Sequence, residues 1–521
     1  MMLRYSSFKI ALIAISSVVV IFLGAIGVQC QLLNHHQFHS SSSLGTVNFQ
    51  VNMLTNPMPF KHYWKRSVGS CHATFCLRAD WREQLKIAQK ELGFYGIRFH
   101  GILDDDMSVV LPKRHDPNTL IYSFYNVDTC YDFLVKEMKM KPIVELSFMP
   151  QLLASDPSKT IFHYNGGISP PKSMKQWNDL IYNFVSHLVQ RYGIDEVSTW
   201  HFEVWNEPNL RNTFWTGTQQ DYFNLYNNTA HTIKSVSQRL RVGGPATAGS
   251  GWIQDFVNFV RSNNIPNDFV STHEYPTDIE PLATDTLIKV AKQSRSIVGS
   301  NTPLFYTEWN AGLGDLGSGT YFYQDTSYPA ALITRTLFSL HNVVDVYSYW
   351  TFSDLFEEHG QYSEVFQEGF GMMTIYSIRK PVWRAFQLMA KSGEELYNAT
   401  TDTAASTVNV YTTLNRDTRE VMIFASNYQV PSQPGSSYVV SIKVNTQLHF
   451  KNCVQSIIDE THSNAFTRWH QIGSPTYPTE AQIKDLNEAS LLFTQPITPK
   501  DDTLFVMQME NPSLHVITCN V

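Results

Sequence analysis

Residues 174–193 read "MKQWNDLIYNFVSHLVQRYG" and residues 197–207 read "VSTWHFEVWNE"; the change of pattern between them decides the fold. The first stretch repeats apolar side chains at helical spacing, and the second alternates with a period of two, as a half-buried strand does. His201, Glu203 and Trp205 share one strand face, while Phe202 and Val204 suit a layer of covering helices. A helix followed by a short strand is one unit of a series.

The series extends in both directions. "WREQLKIAQKEL" precedes "GIRFHG" (96–101), "VDTCYDFLVKEMKM" precedes "KPIVELSFMP" (141–150), and "DYFNLYNNTAHTIKSVSQR" precedes "LRVGGPA" (240–246). "DFVSTHEY" (268–275), "TPLFYTEWN" (302–310) and "VVDVYSYWTF" (343–352) continue it, and an early strand near 62–70 completes eight units. Eight alternating units imply a parallel sheet closed as a (β/α)8 TIM barrel, expected over residues 60–392. Beyond it, "STVNVYTTLN", "REVMIFASNY", "SSYVVSIKVN" and "TLFVMQME" are short alternating runs with polar turns. They predict an antiparallel β-sandwich domain over 393–521, joined by a strand at 46–53, with the two parts tightly packed.

Composition narrows the partners. The 521-residue chain has a formal net charge of -7, with 16% charged and 13% aromatic residues. An acidic balance argues against nucleic acid, which requires a basic face. At the N-terminus, Arg4 and Lys9 precede an apolar run from Ile10 to Val28, which fits a secretory signal over residues 1–30. The run is also long enough for a single-pass signal anchor, so membrane association follows only if it is not cleaved. The remainder is expected in a secreted or lumenal compartment either way, with oligomeric state left open. Asn227 and Asn398 match glycosylation sequons. With Cys30 at the cleavage point, Cys71, Cys76, Cys130, Cys453 and Cys519 remain. Their odd number leaves at least one free thiol; Cys453 with Cys519 reads as a C-terminal staple and Cys71 with Cys76 as a small loop.

In such barrels chemistry sits at the C-terminal ends of the strands. Those ends carry Arg98, His100 and Asp104–Asp106 on the second strand, and Glu145 on the third. The fourth offers Asn206 and Glu207, the sixth His273, Glu274 and Tyr275, and the seventh Glu308. The eighth offers Trp350, Glu357 and Glu358. Glu203 points into the barrel below the mouth, where a supporting ion pair is the expected fate of a carboxylate. Glu207 stands where the strand ends, before Pro208, which cannot continue a ladder. Glu308 follows 308 − 207 = 101 residues later, about three units on, across the lumen. Two facing carboxylates, one protonated and one ionised, are what glycoside cleavage with retention requires. Arg98 and Tyr275 are the expected donors to Glu308.

Other motifs are set aside. "GLGDLG" (312–317) follows a strand but opens no helix, so it is read as a rim loop and not a dinucleotide site. "DDD" at 104–106 is read as a solvated face or a grip on hydroxyls, and no metal or cofactor is expected.

"FEVWNEPNL" with "YTEWN", together with "RFHGILDDD", "VELSFMP", "GGISPPK", "RVGGPA", "YWTFSDLFEE", "IIDETHSNAFTRW" and "SPTYPTEAQI", resembles glycoside hydrolase family 39 from about residue 60 to 510. The resemblance implies a retaining O-glycosyl hydrolase acting on an oligosaccharide. The motifs look like the branch that releases terminal β-D-xylose, an exo-acting xylosidase. The family's other activity, α-L-iduronidase on glycosaminoglycan ends, is the alternative, and an inactive carbohydrate-binding protein a more distant one. By resemblance Glu207 is similar to the acid/base and Glu308 to the nucleophile. Asn206, His100, Asp104, His273, Tyr275, Glu357, Glu358 and Trp350 fall where family members hold the sugar, with Arg98 and Glu203 in support. The glycine-rich segment after Glu308 differs from the bacterial xylosidase pattern.

Overall fold

The computed structural model describes residues 44–279, 282–314, 322–403 and 407–521. The apolar run Ile10–Val28 lies outside the described residues, as does Gly317 of the glycine-rich loop. Among the described residues no helix is long and apolar enough to cross a membrane.

Eight parallel strands close into a barrel: Val68–His72, Gly96–His100, Lys141–Glu145, His201–Glu203, Val242–Thr247, Phe269–His273, Leu304–Trp309 and Val346–Tyr349, in that order around the ring. The fourth is short because its alternation ends early. Phe202 pairs with Val144 and Val242, and Glu203 with Glu145 and Gly243. Trp205 then takes a left-handed φ of 74° and Glu207 one of 45°, so the chain turns out of the ladder before Pro208. Trp205 therefore leaves the face shared by His201 and Glu203. Its indole packs on Trp177 and Trp215 outside the lumen, correcting the period-two reading beyond Glu203. His201 does point inward, onto Phe269 and Phe305. These rings, with Ile143 and Val346, form an apolar floor beneath the mouth.

The helix Met174–Tyr192 shows why the outer layer forms. Ser173 caps it by accepting from the Gln176 N–H, and Gly193 ends it at φ 83°. Between them Trp177, Leu180, Ile181, Phe184, Val185 and Leu188 are buried as one stripe. Each such side chain contributes roughly 1.5–3 kcal/mol when removed from water. The helix expected before the third strand is split into Tyr125–Tyr131 and a wider π-type stretch at Asp132–Glu137. The first strand also starts later than expected, since Tyr63–Arg66 form a 3-10 turn.

The C-terminal part is a curled antiparallel sheet, a sandwich around Val47, Val410, Ile423, Val440, Ile442, Phe505 and Ile517. Gly45–Asn52 joins it, with Phe49 opposite Thr401. Beyond the four expected runs it includes Lys451–Ile458 and Ser513–Asn520, which pair with each other. Cys453 and Cys519, on these two strands, are disulfide-bonded. Cys71 and Cys76 are not: both are buried free thiols, as is Cys130, and Cys76 Sγ meets the Cys130 carbonyl at 3.5 Å. The sandwich packs on the barrel helix Tyr328–Ser339 through Phe338, whose ring lies 4.6 Å from Tyr411 and 5.0 Å from Phe424.

Candidate active site

Arg98 is the centre of the barrel mouth. It is fully buried and meets three carboxylates and an amide. Its Nε donates to Glu203 (2.7 Å), Nη1 to Glu308 (2.5 Å) and Nη2 to the Asn206 carbonyl (2.9 Å), while Nη2 also lies 2.7 Å from Glu145. A planar fork of fixed donors can align four groups from three other strands in one plane, which lysine could not do. The second, third, fourth and seventh strands are thereby locked together at their C-terminal ends. Glu203 has the inward, ion-paired position its place on the strand implied.

Glu308 receives a second donor, the Tyr275 hydroxyl at 2.7 Å on Oε2. His100 approaches its other oxygen at 3.6 Å and is oriented by Glu145, 2.8 Å from Nδ1. Both oxygens of Glu308 thus accept from neighbouring donors.

Glu207 is in the opposite environment. Burial, then the charge of Glu308, pushes its carboxyl well above the usual range. Its Oε1 lies 2.8 Å from His273 Nδ1. The neighbouring bonds fix who donates. Thr307 gives its only hydroxyl proton to Glu203 (2.8 Å), so it must accept from His273 Nε2–H at 3.1 Å. Burial and the Arg98 charge hold His273 well below its ordinary pKa, hence neutral. A neutral imidazole protonated at Nε2 has only a lone pair at Nδ1, so Glu207 is the donor. One oxygen of Glu207 and one of Glu308 lie within 4.8 Å of each other.

The remaining candidates line the same mouth. Trp350 lies tilted at 50° against His100, with centroids 4.7 Å apart, and its ring centre is 5.9 Å from the Arg98 guanidinium carbon. Glu358 is 3.7 Å from His100 and is pushed up to about 8, chiefly by burial. Glu357 contacts His72 Nδ1 at 2.9 Å. The loop carrying both glutamates is pinned by Lys380, which is buried between Asp325 (2.6 Å) and Asp354 (2.7 Å). Asp104 is not on a solvated face: it is buried, accepts from the Phe148 N–H and faces His72.

The sequence reading leaves out three groups that the structure brings here. His72 ends the first strand, and placing that strand at 62–70 hid it. Thr307 relays between His273 and Glu203. Asp278, raised to about 6 chiefly by burial, accepts from the Tyr275 N–H. A polar residue one position before Glu308, or three past Tyr275, was the only available signal for the last two.

A parallel barrel whose mouth holds two facing carboxyl groups, Glu207 and Glu308, fits the class of O-glycosyl hydrolases. Residues 47–497 match the model of glycosyl hydrolases family 39, and the chain belongs to that family. It is 42% identical over 448 residues to a beta-xylosidase of Caldicellulosiruptor saccharolyticus, covering 84% of this chain and 90% of that protein. It is 33% identical over 460 residues to a beta-xylosidase of Geobacillus stearothermophilus, covering 84% and 88%. Its fold is similar to that of a monomeric beta-xylosidase from Caulobacter crescentus, with a TM-score of 0.78 at 30% identity over 91% of this chain and 99% of that one.

Proposed function

We propose that the protein is a retaining, exo-acting β-xylosidase that removes terminal β-D-xylose from xylo-oligosaccharides or xylosides. Glu308 is the nucleophile and Glu207 the acid/base. The observation that carries this reading is the pairing of opposite states within 4.8 Å: a carboxylate held by Arg98 and Tyr275, and a carboxylic acid that donates to His273. Retaining enzymes place the two groups roughly 5–5.5 Å apart.

In the first step Glu308 bonds to the anomeric carbon as the glycosidic C–O bond breaks, and Glu207 gives its proton to the departing oxygen. Ester formation removes the Glu308 charge that raised the Glu207 pKa. Glu207 then becomes a base, takes a proton from water, and the resulting hydroxide displaces the ester. Asn206, His100, Asp104, His273, Tyr275, Glu357, Glu358 and Trp350 surround the sugar in this proposal. An exo mode fits the rim, because the His163 N–H donates to the Glu358 carbonyl at 2.9 Å and joins the loops after the third and eighth strands.

A uronate, as in iduronidase chemistry, needs a spare cation for its carboxylate. Arg98 already faces Glu145, Glu203 and Glu308, His100 is held by Glu145, and Glu357 and Glu358 add acidic groups. This supports the xyloside reading. Secretion is part of the proposal, supported by the Cys453–Cys519 disulfide, a bond of oxidising compartments. Exposed Asn398 is the better-presented of the two glycosylation sequons. Aryl β-xylosides, arabinosides and iduronides compared on the secreted protein test the substrate: β-xyloside should turn over fastest, and faster iduronide cleavage would sink the choice.

A further inference from the structure

Two loops at the barrel mouth enclose a cavity of about 220 Å³ that glycoside cleavage does not use. One loop follows Glu308 on the seventh strand, and the other carries Glu357 and Glu358 after the eighth. Phe356, Phe370 and Tyr362 give the cavity aromatic walls, with His359 beside them. Phe356 meets Phe370 edge to face, with centroids 5.4 Å apart. It also stands edge to face with Trp350 at 6.1 Å, which joins the cavity wall to the Trp350 side of the sugar pocket. Two glutamines complete the lining. Gln324, 2% exposed, donates from Nε2 to the Gly312 carbonyl at 2.8 Å. Gln367 donates from Nε2 to the Asp354 carbonyl at 3.2 Å. Those bonds fix which end of each amide is the oxygen. Both Oε1 atoms are buried, and among the described residues neither has a hydrogen-bond partner. Buried carbonyl oxygens nearly always accept a bond, so each of these calls for a donor.

We propose that this cavity binds a neutral phenolic ring, beside the sugar pocket and distinct from it. A flat ring packs on Phe356, Phe370 and Tyr362, and its O–H donates to a glutamine carbonyl. The room suffices, since a cavity of about 150 Å³ holds benzene. Water alone fits the aromatic walls poorly, because a buried water needs about two to four polar partners. A pyranose suits the cavity less, as hydroxyls around its whole rim would face three aromatic side chains without partners. Neutrality follows from the acidic surroundings: Glu368 lines the cavity, and Glu357 and Glu358 adjoin Phe356 in sequence. The ring arrives free or as the leaving group of an aryl glycoside, and the chemistry that recognises it is the same. Bound there, it packs on the residue next to Glu357 and steadies the loop that carries both glutamates.

The test titrates the full protein with phenol by ligand-observed NMR and calorimetry. One saturable site is expected, undiminished by saturating xylose. Cyclohexanol, which keeps the hydroxyl but not the flat ring, should bind about tenfold more weakly. Gln324→Leu and Gln367→Leu should each weaken phenol binding about five- to tenfold, and Tyr362→Ala about tenfold. If Gln324→Leu does not fold, Gln367→Leu and Tyr362→Ala decide, the latter at a position 54% exposed. No saturable phenol binding, displacement by xylose, or binding unchanged in both Gln367→Leu and Tyr362→Ala overturns the proposal. Kinetics separate the two sources of the ring. Competitive inhibition of an aryl β-xyloside by phenol, with KM raised in Tyr362→Ala for the aryl but not the methyl β-xyloside, identifies a leaving-group site. Noncompetitive inhibition identifies a site for the free phenol. The binding measurements need no turnover, so failure of the xyloside reading would leave them standing.

Discussion

His273 Nδ1 and Glu207 Oε1 stand 2.8 Å apart, and the proton between them belongs to the glutamic acid. That direction follows from Thr307, whose hydroxyl is committed to Glu203, and from a histidine kept neutral by burial and by Arg98. Glu207, the proposed acid, is thus prepared by a chain that begins at the same guanidinium that holds Glu308, the proposed nucleophile. Arg98 opposes protonation of His273 while it anchors Glu308.

Removing the acceptor should weaken the acid form of Glu207. In His273→Ala the hydrogen bond to the protonated carboxyl is lost and water enters, and both effects lower the Glu207 pKa. The alkaline limb of kcat/KM should move to lower pH by about one unit. An unchanged limb would mean that His273 does not set the protonation of Glu207.

The nucleophile assignment predicts chemical rescue. Glu308→Ala should lose about four or more orders of magnitude in kcat, and azide should restore turnover with inverted anomeric configuration in the glycosyl azide. Glu207→Ala should instead lose about 100–10,000-fold on poor leaving groups and far less on activated aryl ones. Product configuration by NMR and a leaving-group series distinguish the two.

The difference between what was legible and what was not lies in distance along the chain. The barrel follows from alternation of helix and strand patterns, and Glu207 and Glu308 each stand at the end of a strand. Arg98 and Tyr275 were legible as donors for the same reason. His72 was not, because apolar Tyr63 and Trp64 look like strand residues although they form a 3-10 turn. Trp205 was misplaced because a period of two cannot register a positive φ. The Cys71–Cys76 pairing failed because nearness in sequence does not aim two side chains at each other, and Cys76 points to the Cys130 carbonyl. The direction of the Glu207 proton depends on five side chains from four strands, a relation with no local signature.

Glu203 should matter for stability more than its distance from the sugar suggests. It is fully buried, with Arg98 on one oxygen and Thr307 on the other. Glu203→Ala removes one partner of a buried ion pair, a loss of about 3–5 kcal/mol. Thermal denaturation should show a clearly lowered midpoint, and kcat should fall with it as Arg98 loses alignment. A variant as stable as the parent would contradict the hub role of Arg98.

Glu274 supplies a pH test of the fold. It is fully inaccessible to solvent, and burial, with the Asp278 charge, raises its carboxyl to about 8. The folded state therefore holds this proton more tightly than the unfolded chain, where a glutamate titrates near 4.3. Its contribution is fully present below that unfolded value and is lost as pH rises towards 8, because over this range the unfolded chain releases the proton and the folded barrel does not. Glu358, also near 8, adds in the same direction. Glu274→Gln keeps the shape without the charge, so calorimetry should find its gain over the parent larger at pH 8 than at pH 5. Equal differences at the two pH values would show that Glu274 is already ionised in the folded barrel at pH 5 and that its pKa is not raised.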